Sequence, residues 1–241
     1  LVENGANIDL ADNDEHTSVH IASAFGRENS LNVLVNEGAN VEKITSIGNS
    51  AIHGTAASGS QTGLSLLINK GLSPETKNND GMTPLHVAAD NDQDIIIDYL
   101  AETGVDLCLP DKLGRTALHI ASLKGNTRAV RALLKHGCSA NISDSEGCTP
   151  LHYACMMGQM EIISMLKDYD GNMLQEDNHG NTPFSLLSGA RKLGKADGIS
   201  KGQSSYKDLL LINSLERSQS PELVSLKIAF SCIHTLRAGN F

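Results

Sequence analysis

Five histidines stand at a constant separation in this chain: His20, His53, His86, His119 and His152, each 33 residues from the next. Imidazole is both a common metal ligand and a common general base, so a periodic set raises both chemistries. Zinc requires its ligand nitrogens about 2.0–2.1 Å from one ion. Histidines carried by stacked helices about 8–10 Å apart form a parallel ladder and do not converge on one ion. The acid–imidazole pairing fares no better as a catalytic signal. Asp111 stands before His119 as Asp144 stands before His152, and a pair copied from layer to layer speaks for architecture, because catalysis needs one special site. No phosphate-cradling glycine loop, nucleophile elbow or kinase signature occurs. Five cysteines (Cys108, Cys138, Cys148, Cys155, Cys232) show no C-x-x-C spacing. Their odd number reads as free thiols in a reducing compartment, hence an intracellular location in cytoplasm or nucleus.

The elements that carry these histidines repeat with them. Thr116-Ala117-Leu118-His119 has counterparts in Thr17-Ser18-Val19-His20, Ser50-Ala51-Ile52-His53, Thr83-Pro84-Leu85-His86 and Thr149-Pro150-Leu151-His152, with a degenerate copy in Thr182-Pro183-Phe184-Ser185. The first residues, 17, 50, 83, 116, 149 and 182, differ by 33 throughout. An independent register of Gly5, Gly38, Gly71, Gly104 and Gly137 keeps the same period. Each copy contains two short apolar-periodic stretches bounded by turn residues, such as helices over about 18–25 and 30–36. Thr116 is placed to cap a first helix, and glycine just past the second helix is a common C-terminal stop.

A 33-residue unit with a T-P-L-H-x-A signature, a turn and two helices resembles the ankyrin repeat. The likeness spans Leu1 to about Ser188. It implies an all-α ankyrin-repeat solenoid of helix-turn-helix units with hairpin loops, and a binding platform as its function class. The units are 12–44, 45–77, 78–110, 111–143 and 144–176, followed by a degenerate sixth at 177–217 with an inserted loop at 188–205. Residues 1–11 read as the end of a preceding repeat, because LVENGAN aligns with Leu34 to Asn40; the chain is therefore expected to be a fragment of something longer. Residues 218–241 start with Ser220-Pro221-Glu222 and continue with Leu223, Leu226, Phe230 and Ile233 at helical spacing. They are expected to form an irregular helical C-terminal cap over the last apolar face. The family likeness also implies that His119 hydrogen-bonds the Thr116 hydroxyl or nearby backbone.

Copies differ in ways that predict unequal stability. Glu15 stands where later units carry Gly48, Gly81, Gly114, Gly147 and Gly180, and Asp92 replaces the inter-helix glycine. Gly54 and Thr55 are poor helix formers and mark repeat two as the weakest. The layer expected to bury in repeat four is Leu118, Ile120, Ala121, Val130, Leu133 and Leu134.

With a net charge of −9 and a pI near 5.4, direct nucleic-acid binding is disfavoured. No run of eighteen apolar residues suggests membrane insertion, and no signal peptide opens the chain. No cofactor is implied. The array is expected to be a monomer that binds a protein partner as a non-catalytic scaffold or adaptor. Alternatives are a regulatory segment of a longer enzyme or channel, and a substrate-receptor array docking through its C-terminal helix. In this family the hairpin tips and the exposed side of helix one line a concave groove. Its variable positions are polar and partly acidic in repeats one to three (Asp14, Asp80, Asn91), but combine cations with apolar groups in repeats four and five. The predicted contact residues are therefore Lys112, Leu113, Arg115, Leu123, Lys124, Cys148, Met156 and Met157. Arg115, with its planar donor fork, points to an acidic or phosphorylated segment with an apolar anchor.

Overall fold

The computed structural model describes residues 6–187; the inserted loop at 188–205 and the cap at 218–241 lie outside that range. Within residues 6–187 helices run in pairs: α1 (Ser18–Ala24) and α2 (Glu28–Asn36), α3 (Ala51–Ser58) and α4 (Gln61–Asn69), α5 (Pro84–Asp90) and α6 (Asp94–Glu102), α7 (Ala117–Lys124) and α8 (Thr127–Lys135), α9 (Pro150–Met156) and α10 (Met160–Asp168). First helices stack on first helices and second helices on second helices. Among the described residues the only strand-like features are isolated bridges, Ala11 with Thr17 and Ile44 with Ser50.

A helix of seven to nine residues is too short to hold itself in water, so termini and neighbours define it. Every first helix starts at an extended Thr or Ser, and Pro84 and Pro150 occupy the first turn where their missing N–H costs nothing. The histidine three residues on completes a capping box, in the place Glu or Gln usually takes. Stacking then buries Leu31, Ile52, Leu64, Leu67, Ile97, Leu118, Leu133, Leu151 and Ile162 in one continuous core. The six residues expected to form the layer of repeat four are all buried.

The histidines tie this layer to the next. The Thr116 backbone N–H donates to His119 Nδ1 at 3.0 Å, with the Thr116 hydroxyl 2.9 Å from the same nitrogen, while Nε2 lies 3.1 Å from the Cys148 carbonyl. An N–H donating to Nδ1 fixes the tautomer: Nε2 carries the proton and gives it to the following repeat. His53 reaches Met82, His86 reaches Arg115 and His152 reaches Asn181 in the same way. Both ring nitrogens are thus engaged, which answers the metal reading directly. Burial holds these imidazoles below their ordinary pKa, that of His119 at about 4.

Repeat two departs from expectation. Its α3 is eight residues long, as long as α7 and longer than α1. Gly54 is there because neighbouring backbone is close: a Cβ at 54 would sit 3.0 Å from the Ala24 nitrogen and the Ser23 Cβ. Thr55 is fully buried and turns its hydroxyl onto the Ile52 carbonyl at 2.9 Å. Tertiary contact overrides the propensity that marked this helix as weak.

Asp92 explains itself as well. Its backbone is left-handed, φ 54°, where other repeats have glycine. Its carboxylate accepts from the Ala129 N–H at 2.9 Å and from Arg128 Nε at 3.0 Å. The acid therefore caps α8 of the following repeat. The Asn126 side chain, which would otherwise cap α8, instead reaches back to the Ala89 and Asp90 carbonyls.

Candidate partner-binding surface

Between the helix pairs, hairpins project from the stack. Their tips are joined by one backbone hydrogen bond per junction: Ser46 N to Asp14 O, Asn79 N to Ile47 O, Lys112 N to Asp80 O, Ser145 N to Leu113 O and Asn178 N to Glu146 O, all 3.0–3.1 Å. The frame is largely main chain, with the Asn79 and Asn178 side chains adding bonds to the Ser46 and Ser145 carbonyls, so most other tip side chains are left to face a partner.

Eight residues in repeats four and five were expected to form the contact patch, and the structure divides them. Lys112 and Lys124 are exposed, Leu113 and Met156 are half-buried, and Met157 is 38% exposed. Arg115 is not available. It is 6% exposed, and its Nε and Nη2 donate to Asp111 Oδ2 at 2.9 and 2.7 Å. Asp111 Oδ1 meanwhile accepts the Leu113 and Arg115 N–H groups. A guanidinium paired with a carboxylate inside its own hairpin holds that turn in shape; it is no fork for an external anion. Leu123 and Cys148, at 8% and 9% exposure, are also not free of structural duty.

These two buried residues nonetheless belong to something distinct from the main core. Leu123, Cys148 and Tyr153 form a second apolar cluster with Met156 against it. Tyr153, absent from the predicted set, anchors it: its hydroxyl donates to Asp144 Oδ2 at 2.6 Å and its ring stands edge-on to His119 at 5.9 Å. Burial raises the Asp144 carboxyl above its ordinary value, against the lowering effect of the Tyr153 and backbone hydrogen bonds. An aromatic at a position filled by Ile21, Gly54, Val87 and Ile120 elsewhere was the signal that could have found it. On the rim, Lys124 pairs with Asp90 at 3.0 Å. Cys138 and Cys155 are pushed up to about 12 by burial, so neither supplies a thiolate at neutral pH.

A model described as ankyrin repeats (3 copies) matches residues 19–111 and 96–178. The chain belongs to the ankyrin-repeat family. Among solved structures it is similar to the ankyrin repeat domain of Bcl-3, described as a unique member of the IkappaB protein family. That ankyrin array shares 28% identity with this one at a TM-score of 0.65, over 77% of this chain and 83% of the other. Comparison with curated proteins gives no match. The ankyrin family accounts for the hairpin frame, the threonine–histidine caps and the paired helices. No helix among the described residues is long and apolar enough to cross a membrane.

Proposed function

We propose that this ankyrin array is a non-catalytic protein-binding module, intracellular, whose partner lies across repeats four and five. The second apolar cluster carries the reading. Leu123, Cys148 and Tyr153 make a floor with Met156 packed against it, Met157 follows in sequence and is exposed, and methionine adapts to partner shape. An apolar anchor of the partner packs on Met157, Met156 and Leu113. An acidic or phosphorylated residue beside it meets Lys112 and Lys124 on the rim, in place of the internally paired Arg115. The free thiols Cys108, Cys138 and Cys155 support the reducing compartment.

The test is affinity capture with the described array as bait, comparing the native array with a Lys112→Glu/Met157→Asp variant. Both side chains are exposed, so the melting temperature should hold while the specifically retained partner falls at least tenfold. An unchanged set of retained proteins would remove repeats four and five as the contact surface.

A further inference from the structure

A second surface emerges on the other half of the groove. Phe25 and Ile47 are 68% and 52% exposed. Large apolar residues also show at the end of the array, but those need separating. Positions equivalent to Ile21 are half-buried or buried inside the stack (Gly54, Val87, Ile120, Tyr153), so the exposure of Ile21 belongs to the end face of repeat one. Phe25 is different: its equivalents Asn91, Lys124 and Met157 are exposed in interior repeats too, and Ser58 is half-buried. Ile47 likewise corresponds to exposed Asp14, Asp80 and Glu146, with Leu113 half-buried. These two apolar groups therefore stand on the array's outward-facing positions, one at the end of a first helix and one on a hairpin tip.

The charge around them is mainly acidic, with exposed Arg27 following Phe25 by two residues and exposed Lys77 preceding the third hairpin. Hairpins and first helices over residues 12–26, 45–59 and 78–91 contain Asp12, Asp14, Glu15, Asp80 and Asp90, and not one Lys or Arg. His20, His53 and His86 there are buried, so they supply no cation at neutral pH. Only Asp90 meets a cation from outside the set, Lys124. Asp12 lies 3.3 Å from His16; no ion pair is formed by Asp14, Glu15 or Asp80 among the described residues. The corresponding stretch of repeat four, 111–125, carries Lys112, Arg115 and Lys124 against a single acid. The concave face thus changes character at repeat four.

We infer that repeats one to three form a second docking surface, for a cationic protein segment that carries apolar side chains. Phe25 and Ile47 supply the apolar contacts, and Asp14, Glu15 and Asp80 fix the segment's orientation and speed its arrival through their field. The surface lies on different repeats from the Met156–Met157 site and stands or falls separately.

An amphipathic Lys/Leu peptide and a Glu/Leu peptide of the same pattern serve as probes, with binding followed by fluorescence anisotropy. The Lys/Leu peptide should bind with a dissociation constant that rises with salt, and the Glu/Leu peptide should not bind. Phe25→Ser with Ile47→Ser should weaken binding at least tenfold. Asp14→Asn with Asp80→Asn should weaken it and flatten its salt dependence, and Met157→Asp should leave it unchanged. Equal binding of both peptides, indifference to the first two double variants, or loss of binding in Met157→Asp would each overturn the inference.

Discussion

Repeats two and four perform one structural task with opposite chemistry. Repeat two stacks by closeness: Gly54 lets α3 approach Ser23 and Ala24, and Gly63 occupies a spot where a Cβ would lie 2.7 Å from Ser60 Oγ. Its polar contacts are uncharged or singly charged, with the Ser58 hydroxyl on the Ser23 carbonyl and that of Ser60 on Glu28 Oε1. Repeat four stacks by charge. Arg128 meets Asp92 and Asp94, Lys135 and His136 meet Asp98, Lys124 meets Asp90, and Arg131 meets Glu161 in the next repeat. The acids of repeat three and the bases of repeat four match like two edges of a seam. Short-range packing has no charge to screen, whereas exposed ion pairs weaken as salt rises. One scaffold therefore holds junctions with different sensitivities.

The comparison breaks most sharply at the hairpins. Arg115→Ala would leave the buried Asp111 carboxylate without its partner. It is expected to cost about 3–5 kcal/mol, the usual cost of breaking a buried pair, read as a fall in the urea unfolding midpoint. In repeat two the same two positions are Thr45 and Asn49, joined by the Asn49 N–H to the Thr45 hydroxyl at 3.1 Å. That bond uses backbone and survives Asn49→Ala, which loses only the bond that Asn49 Oδ1 accepts from Asn78 Nδ2 at 2.9 Å, so the loss of stability should be about 0.5–1.5 kcal/mol. Equal losses would erase the distinction.

Acid is the next lever. The folded state holds His119 neutral down to about pH 4, whereas the unfolded chain takes up that proton near 6.5. Stability is thus complete above pH 6.5 and declines as pH falls towards 4. At 1.36 kcal/mol per pKa unit this residue accounts for about 3 kcal/mol. The other buried histidines shift the same way, so both regions should weaken, and a His119→Gln variant should show a shallower pH profile. A melting temperature flat between pH 7 and 5 would contradict this.

A third, intermediate effect isolates repeat two. Gly54→Val adds a side chain where Val87 and Ile120 stand in later repeats, but here it meets backbone, and overpacking of about 1–3 kcal/mol is expected. Hydrogen exchange should then speed up in α1 and α3 while α7 to α10 keep their protection. The smallest effect isolates the junction of repeats three and four. Raising salt should loosen α8 slightly and leave α3 and α4 alone. Asp92→Asn should reduce that response, the Asp94 and Asp98 pairs remaining, while keeping the side-chain cap on Ala129.

The repeat, its helix pairs and the structural meaning of the histidines were legible because a period repeats its own evidence. What the period hides is what a substituted residue does in its own place. Arg115 read as a free anchor because position 115 varies between copies; its fate was decided by Asp111, four residues earlier across a turn. Gly54 read as weakness because propensity describes a lone helix, and here the neighbouring α1 lies within 3.0 Å of a would-be Cβ. The Leu123–Cys148–Tyr153 cluster joins residues from two repeats, so no single copy displays it. Phe25 and Ile47 lie in the half of the groove that reads as polar, and their exposure is a property of the fold that no sequence pattern displays.

The hairpin tips have a last implication, for how such a surface changes over generations. Each tip is joined to the next by a peptide N–H and a peptide carbonyl, groups that every amino acid except proline possesses. A mutation at Ser46, Lys112 or Ser145 that avoids proline keeps the fastening, and one at Asn79 keeps the peptide bond while losing only the side-chain bond to the Ser46 carbonyl. Lineages can therefore exchange these residues one at a time, sampling new charges and shapes without first repairing the fold, and recognition here can drift, duplicate and specialise while the array behind it is inherited unchanged.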